Sequence, residues 1–351
     1  MNDSPSGLDS EATNPHPQVP WSQEQWDRVQ RVVAAEAQQA RVAARFLPLY
    51  GPLSRDTDFV RKNLITTGSS VDEESGDGLG STPQRLKIDD ISTSRLWTLQ
   101  VKVYLRGPQM ADPEMTSVLA LFRRAANVLA RLEDTVVFNG LPKGKEVHDQ
   151  LKALPPIWEI LGRRAENPLS MPGLLPESPE SFPGTYDSLT SDPDSTYPYF
   201  RRWSQVDCPV GEDPYPELGN SLVGVVSDSI GKLEQNGHYG PFALVTGQDL
   251  FRALQTPNSV SLVLPQDRVI PFLGAGGTLL RSTTLPPRQA VVVALGGEPV
   301  ELVIAKDMTI DFLQITTDPV YVFRLHERLV LRIKNPGAIC GIKPKDNPVT
   351  E

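Results

Sequence analysis

From Asp112 to Phe138 the chain carries one long apolar stripe. Met115, Val118, Leu119, Phe122, Ala126, Leu129, Leu132 and Val136 recur at spacings of three and four, the period of a helix with one buried face. Asp112 supplies an N-cap and Pro113 a first-turn proline, while Asn139 and Gly140 end the run. A helix of roughly 25 residues is about 38 Å long at 1.5 Å per residue. In a domain of ordinary size such a helix is a spine that other elements must cross.

The sequence supplies those elements at a distance. Leu96–Leu105 alternates imperfectly, as a strand does, and residues 309–316, 320–327 and 328–334 read as successive strands rich in β-branched and aromatic side chains. No helical pattern separates these last three, which predicts an antiparallel sheet against the spine. Residues 115–136 then meet residues 310–334, and the α/β stretch 220–304 between them is carried as an inserted unit. Within that unit Leu222, Val223, Val226, Ile230 and Leu233 mark a helix, with Asn220 as its cap. A strand at 242–245 and a short helix at 248–254 follow. Extended segments are expected at 260–264, 269–273 and 278–281, with central strands at 289–295 and 300–304.

Ser22 and Gln25 form a capping box before another helix, whose small apolar face is Trp26, Val29, Val33, Ala37, Ala40 and Ala44. Such a face serves either core packing or a docking groove for a partner peptide. Residues 1–20 are proline-rich and polar, a flexible arm. Residues 59–94 read as a long two-stranded arm around the polar run Gly68–Ser81. An isolated two-stranded arm is marginal, so its length implies cover from outside the subunit. Between Pro155 and Pro216 lie twelve prolines, with Glu177, Glu180, Asp187, Asp192 and Asp194 making part of that stretch acidic. Tyr186, Tyr197, Tyr199, Phe200 and Trp203 predict that its second half packs onto something.

Several function classes find no support. The chain has 43 Asp and Glu against 34 Lys and Arg, a formal charge of −9, which gives no electrostatic footprint for nucleic acid. Only Cys208 and Cys340 are present, so a disulfide framework is not expected. No apolar run approaches the length of a membrane span and Met1–Pro20 has no secretory pattern, so a cytoplasmic location is expected. His16, His148, His238 and His326 are scattered, and no pair has metal-ligand spacing. His326 and Glu327 adjoin on a strand and face opposite ways. Gly274, Gly276 and Gly277 lack the lysine and helix of a phosphate loop, and no serine has a nucleophile-elbow setting. Glu133 and Asp134 are adjacent on a helix and diverge by about 100°, poor geometry for a paired-carboxylate site. No catalytic residue, metal ligand or cofactor site is assigned, and the chain is expected not to be an enzyme.

The order of elements nevertheless resembles one family. WSQEQWDRVQ, the polar arm, RLEDTVVFNG, GPFALVTGQDLFRAL, LRSTTLPPRQAVVVAL and DMTIDFLQITTDPVYVFRLHERLVLRIKNPGAI together are similar to the encapsulins, nanocompartment shell proteins with the capsid fold of HK97-type tailed phages. The resemblance implies an α+β, HK97-type fold. It divides the chain into a flexible arm (1–20), an N-terminal helix (21–47), an extended loop (59–95) and a peripheral domain (96–140 and 306–340). A proline-rich insertion (143–217) and an axial domain (219–305) complete it. It implies a structural subunit of an icosahedral nanocompartment, a closed homo-oligomer of roughly 60 or more copies, with a phage or prophage major capsid protein as the alternative. Partners are then identical subunits and a cargo protein bearing a targeting peptide, either ferritin-like or a dye-decolourising peroxidase, with neither nucleic acid nor membrane. In the cargo-loading group, the first helix and the adjacent sheet form the peptide groove, which points here to Trp26, Val29, Val33, Ala37, Ile310, Phe312 and Ile315. The resemblance leaves a bound flavin open, beside Trp97 or Tyr104. The insertion and the long arm before Trp21 depart from compact members.

Overall fold

A computed structural model describes residues 19–54, 56–68, 85–89, 91–141, 149–161, 171–175, 202–207, 214–257 and 263–345. The first half contains α1 (Gln23–Ala40), β1 (Leu49–Tyr50), β2 (Phe59–Arg61), β3 (Leu64–Gly68), β4 (Arg85–Asp89), β5 (Thr93–Arg95), β6 (Trp97–Arg106) and α2 (Thr116–Asn139). β7 (Trp158–Leu161), β8 (Arg202–Val206), α3 (Tyr215–Gln235), β9 (Phe242–Thr246), α4 (Gln248–Gln255) and α5 (Pro265–Val269) follow. The chain ends with β10 (Thr278–Arg281), β11 (Ala290–Ala294), β12 (Val300–Ile315), β13 (Val320–Ile333) and β14 (Ile339–Pro344).

The spine is α2. It starts at Thr116 rather than at Pro113, because Met115 takes a left-handed conformation (φ 53°) at the N-cap. Asp112 still serves the start: its carboxylate accepts the N–H groups of Glu114 and Thr116 at 3.0 and 3.2 Å. α2 lies on a five-stranded sheet in the order β1-β12-β13-β6-β7. In β6 and β13 the odd-numbered residues face it, so Trp97, Leu99, Val101, Val103 and Leu105 pair with Leu329, Glu327, Leu325, Phe323 and Tyr321. α1 packs alongside α2 on the same face, and Trp21, Trp26, Phe122 and Phe323 meet there with ring centroids 5.1–6.3 Å apart. Edge-to-face and offset pairs of this kind add to the gain from burial alone.

A second sheet, β10-β9-β11-β14-β8, stands beside the first. β9 and β11 are buried on both faces. Ala243, Val245, Val291 and Val293 join the core under α2, while Leu244, Val292 and Ala294 pack beneath α3, α4 and α5. The two sheets therefore share one continuous interior.

Five expectations change. The two terminal strands expected at 320–334 are the single strand β13, and 300–304 begins β12 in the first sheet instead of closing the 220–304 unit. Residues 269–273 are not extended: Pro265 opens a helical turn that continues as a 3₁₀ turn from Ile270 to Leu273. α3 begins at Tyr215, so Asn220 lies inside it and caps nothing. The 306–340 stretch, which the resemblance assigns to the peripheral domain, does not stay in one sheet to its end, because β14 begins at Ile339 and pairs with β11 and β8 in the second sheet.

The arm is two successive ladders, β2 with β5 and β3 with β4, tied to the body where the Ile65 N–H donates to Lys334 O at 2.8 Å. Phe59, Ile88 and Ile91 on it are 56%, 59% and 85% exposed, apolar surface that none of the described residues covers. The polar run Gly68–Ser81 falls almost wholly outside the described residues, as do most of residues 1–20, Cys208 and the acidic Glu177–Asp194 stretch.

Among the described residues the insertion meets the body at several places, beginning with Leu151 and Leu154, which are buried in the core. β7 extends the first sheet beyond β6, and β8 runs parallel to β14 at the edge of the second. Between them, Leu174 and Leu175 donate N–H bonds to Val137 O and Phe138 O at 2.9 and 2.8 Å, satisfying carbonyls that the end of α2 leaves free. This contact depends on two glycines. A Cβ on Gly140 (φ 73°) would lie 2.5 Å from Met171 O, and one on Gly173 would lie 2.4 Å from Gly140 N. Ser204 of β8 is buried, where it accepts from Lys232 Nζ at 2.9 Å and lies 3.5 Å from Cys340 Sγ. Deletion of residues 150–206 is therefore expected to give insoluble subunits, with both sheets stripped of an edge strand. Recovery of intact particles by size-exclusion chromatography and negative-stain microscopy would show that the body closes without these anchors.

Candidate functional site

α1 ends at a charged cluster. Its C-cap residue, Arg41, is mostly buried, with Nε 2.5 Å from Glu133 Oε2 on α2, Nη2 2.5 Å from Glu327 Oε2 on β13, and Nη1 2.8 Å from Asp307 Oδ1 on β12. Glu133 and Glu327 are each 1% exposed, and Asp307 is open to solvent. Next to them the buried Asp134 accepts the N–H groups of Val42 and Ala43 at 2.8–3.0 Å, so the turn leaving α1 is bonded to α2 through backbone donors. Burial works against the charge of Arg41, but Glu133, Glu327 and Asp307 outweigh it and hold the guanidinium above its ordinary value. Burial pushes the Glu133 carboxyl up. Burial, with the Glu133 charge second, pushes Glu327 and Asp134 well above the usual carboxylate range.

Beside this cluster a recess of about 280 Å³ opens between the flank of α1 and β12. It is lined by Ala34, Ala37, Gln38, Arg41, Ala44, Arg45, Asp307 and Met308. Three alanines make one wall shallow, Met308 adds an apolar contact, and Arg45 and Asp307 put opposite charges at the rim.

The sequence-predicted groove residues fall into two sets. Trp26, Val29, Val33 and Ala37 are 2%, 0%, 3% and 3% exposed. Their stripe is the face that α1 turns onto α2 and the sheet, so of the two roles the stripe allowed, it serves core packing, and only Ala37 also reaches the recess. On β12, Ile310 is buried and Phe312 packs on Phe323 at 5.5 Å, while Ile315 is 42% exposed beyond the aromatic cluster. The recess residues Ala34, Gln38 and Arg45 were not found from sequence, because small and polar residues on the far side of an apolar stripe look like an ordinary wet face.

Glu133 and Asp134 do diverge, as their adjacency requires, but to different buried partners. The available signal was two acids within the otherwise apolar end of the spine helix, RLEDTVVFN. His326 and Glu327 also point to opposite faces: His326 Nε2 contacts Lys306 Nζ at 3.0 Å and lies 3.5 Å from Asp311. Burial pushes His326 down to about 4, so it is neutral at physiological pH. Trp97 is 2% exposed within the core and offers no face to a flavin; Tyr104 is 58% exposed beside a separate recess with Arg106 and Gln109. Among the described residues there is no cluster of three or more His, Cys, Asp and Glu arranged for a metal ion, and no helix is long and apolar enough to cross a membrane.

Replacing Arg41 by Met is expected to lower stability by about 3–5 kcal/mol, since it leaves Glu133 and Glu327 buried without a cation. Thermal unfolding of assembled particles at fixed concentration measures this, and adding Glu133→Gln and Glu327→Gln to Arg41→Met should restore most of the loss. An Arg41→Met particle as stable as the parent would contradict the assignment.

The family model described as "Encapsulating protein for peroxidase" matches residues 15–147 and 212–330. The unmatched stretch between them contains β7 and β8. The chain is 22% identical over 332 residues to the type 1 encapsulin shell protein EncA of Myxococcus xanthus, covering 93% of this chain and 95% of that protein. It is 23% identical over 326 residues to a diheme-cytochrome-encapsulin shell fusion protein of Kuenenia stuttgartiensis, covering 92% and 73%. Among solved structures, a virus-like particle from Pyrococcus furiosus superposes with a TM-score of 0.56 at 14% identity, covering 91% of this chain and all of that one. The capsid of Myoviridae phage XM1 superposes with a TM-score of 0.50 at 11% identity, covering 86% and 91%.

Proposed function

The chain belongs to the encapsulin family of shell proteins, and on that premise we propose that its subunits enclose a cargo enzyme held at the recess between α1 and β12. As a family member it is a self-assembling shell subunit with the HK97-type capsid fold, a structural protein and not an enzyme. In our reading the sheet bearing α1 and α2 is the peripheral domain, the sheet under α3, α4 and α5 is the axial domain, and the ladders β2–β5 and β3–β4 are the extended loop. Neighbouring subunits then cover Phe59, Ile88 and Ile91 on that loop. Burying apolar surface only in neighbours makes subunit stability depend on assembly.

The partner at the recess is the targeting peptide of a cargo protein, ferritin-like or a dye-decolourising peroxidase, and the compartment is cytoplasmic. The observation that carries this reading is the recess itself, shallow along Ala34, Ala37 and Ala44 and charged at Arg45 and Asp307. Small side chains let an extended peptide lie close to the helix, and the two rim charges orient it. The remaining β12 candidates, Phe312 and Ile315, extend the apolar surface along the same strand face.

The test is cargo stoichiometry. Ala34 is exposed, so Ala34→Trp should leave particles intact by negative-stain microscopy while filling the recess and lowering the cargo-to-shell ratio at least several-fold. Val33→Asp, by contrast, places an unpaired carboxylate in the core and should prevent correct folding. Unchanged loading in Ala34→Trp shells would remove the recess from the docking site.

A further inference from the structure

The cluster at the end of α1 holds more buried carboxyl groups than its cation can neutralise. Glu133, Asp134 and Glu327 are each 1% exposed, and Arg41 is the basic group that bridges the two glutamates. Glu133 Oε2 and Glu327 Oε2 sit on the same edge of that guanidinium, each 2.5 Å from a nitrogen, Nε and Nη2 respectively, so the two carboxyl groups are held side by side. Two carboxyl groups held side by side can bond to each other only when one of them carries a proton, because two carboxylates offer acceptors and no donor. A buried pair that close behaves as one titrating unit with a shared proton.

Among the described residues that unit has no second cation in contact. Arg41 and Arg45 come from the end of α1, and Asp307 from β12 adds a further negative charge on Arg41 Nη1. α2 contributes Asp134 and, two residues before Glu133, Arg131. On β13 the neighbours of Glu327, His326 and Arg328, project from the other face of the sheet, where they meet Asp311 and Asp58. Burial acts in the same direction, raising both glutamates.

We propose that Glu133 and Glu327 share one buried proton that latches the end of α1 to α2 and β13, and that loss of this proton as pH rises releases the segment Arg41–Ala43. The inference rests on the buried cluster and is independent of what occupies the recess, although Arg41 forms part of the recess wall. The sign follows from linkage. The closed segment holds a proton that the opened, hydrated segment gives up above the ordinary carboxylate range. Opening therefore becomes easier as pH rises, by about tenfold per pH unit, until the closed cluster itself titrates. Below the ordinary carboxylate range both states are protonated and the dependence vanishes.

Hydrogen exchange of intact shells tests this at the Val42 and Ala43 amides, which are bonded to Asp134. Glu327→Gln fixes the shared position as neutral and keeps a donor toward Glu133, so exchange in that shell reports the base-catalysed chemistry alone. The wild-type segment is expected to gain about tenfold more exchange per pH unit than the Glu327→Gln segment between neutral and alkaline pH. Glu133→Gln should flatten the dependence in the same way, and it serves if Glu327→Gln shells do not assemble. Asp134→Asn removes the share of the dependence that Asp134 carries, and a slope steeper than that of the glutamine variants should persist in it. Infrared spectra at neutral pH should contain a protonated-carboxyl band that both glutamine variants weaken and Asp134→Asn retains. Equal slopes in wild type and both glutamine variants, or a flattened slope only in Asp134→Asn, would overturn the proposal.

Discussion

The subunit depends on the burial of Arg41 between Glu133 and Glu327. A buried ion cluster is an expensive way to hold elements together, and well-packed apolar side chains often do as well or better energetically. What the cluster adds is selectivity of arrangement. Only one placement of α1 brings Arg41 to acids on α2 and β13 at once and sets the Val42 and Ala43 amides over Asp134. The direction in which the chain leaves α1, the course of the strand that follows and the recess beside β12 are all set by that placement. Apolar contacts among Trp21, Trp26, Phe122 and Phe323 supply bulk cohesion at the other end of α1 but tolerate several rotations.

How much of this was legible in the sequence depends on what each signal encodes. The capping box of Ser22 and Gln25 is present, with Gln25 N–H donating to Ser22 Oγ and Ser22 N–H to the Gln25 side chain. The stripes of α1 and α2 are buried. A stripe records that a face is covered without recording by what, which is why the apolar residues of α1 fitted a groove and core packing equally well. Once α2 and the sheet cover that face, whatever docks must use the flank, where Ala34 and Gln38 give no periodic signal. Divergence by 100° fitted Glu133 and Asp134 and still failed to predict their burial, since the end of α2 is enclosed on every side by the sheet, the α1 exit and the insertion. Length and proline placement decided the remaining errors. The apolar run 269–273 has strand-like residues, yet Pro265 at a helix start sets the backbone ahead of it.

The spine and sheet of the first layer were recoverable because their pattern is local: alternation in β6 and a 3.6 period in α2. Partnership between distant segments was not. β14 lies within a few residues of β13 in sequence and joins the other sheet, because the 3₁₀ turn Pro336–Ala338 redirects the chain. β8 becomes its neighbour through a parallel pairing across 138 positions, from Arg202 to Cys340. Burial of Val245, Val291 and Val293 in the same core as α2 makes the two layers a single folding unit, and no break in composition marks where one ends.

β7 and β8 lie in the stretch that the family model leaves unmatched, and each stands at the margin of a sheet. Adjacent strands are about 4.8 Å apart, so each layer of this subunit is one strand spacing broader than it would be without the insertion. Subunits in a closed shell meet as tiles, and a tile that broadens along one direction changes the angle or the separation at which its neighbours meet. The insertion thus sets the width of the tile that this subunit presents, through anchors that lie within one chain.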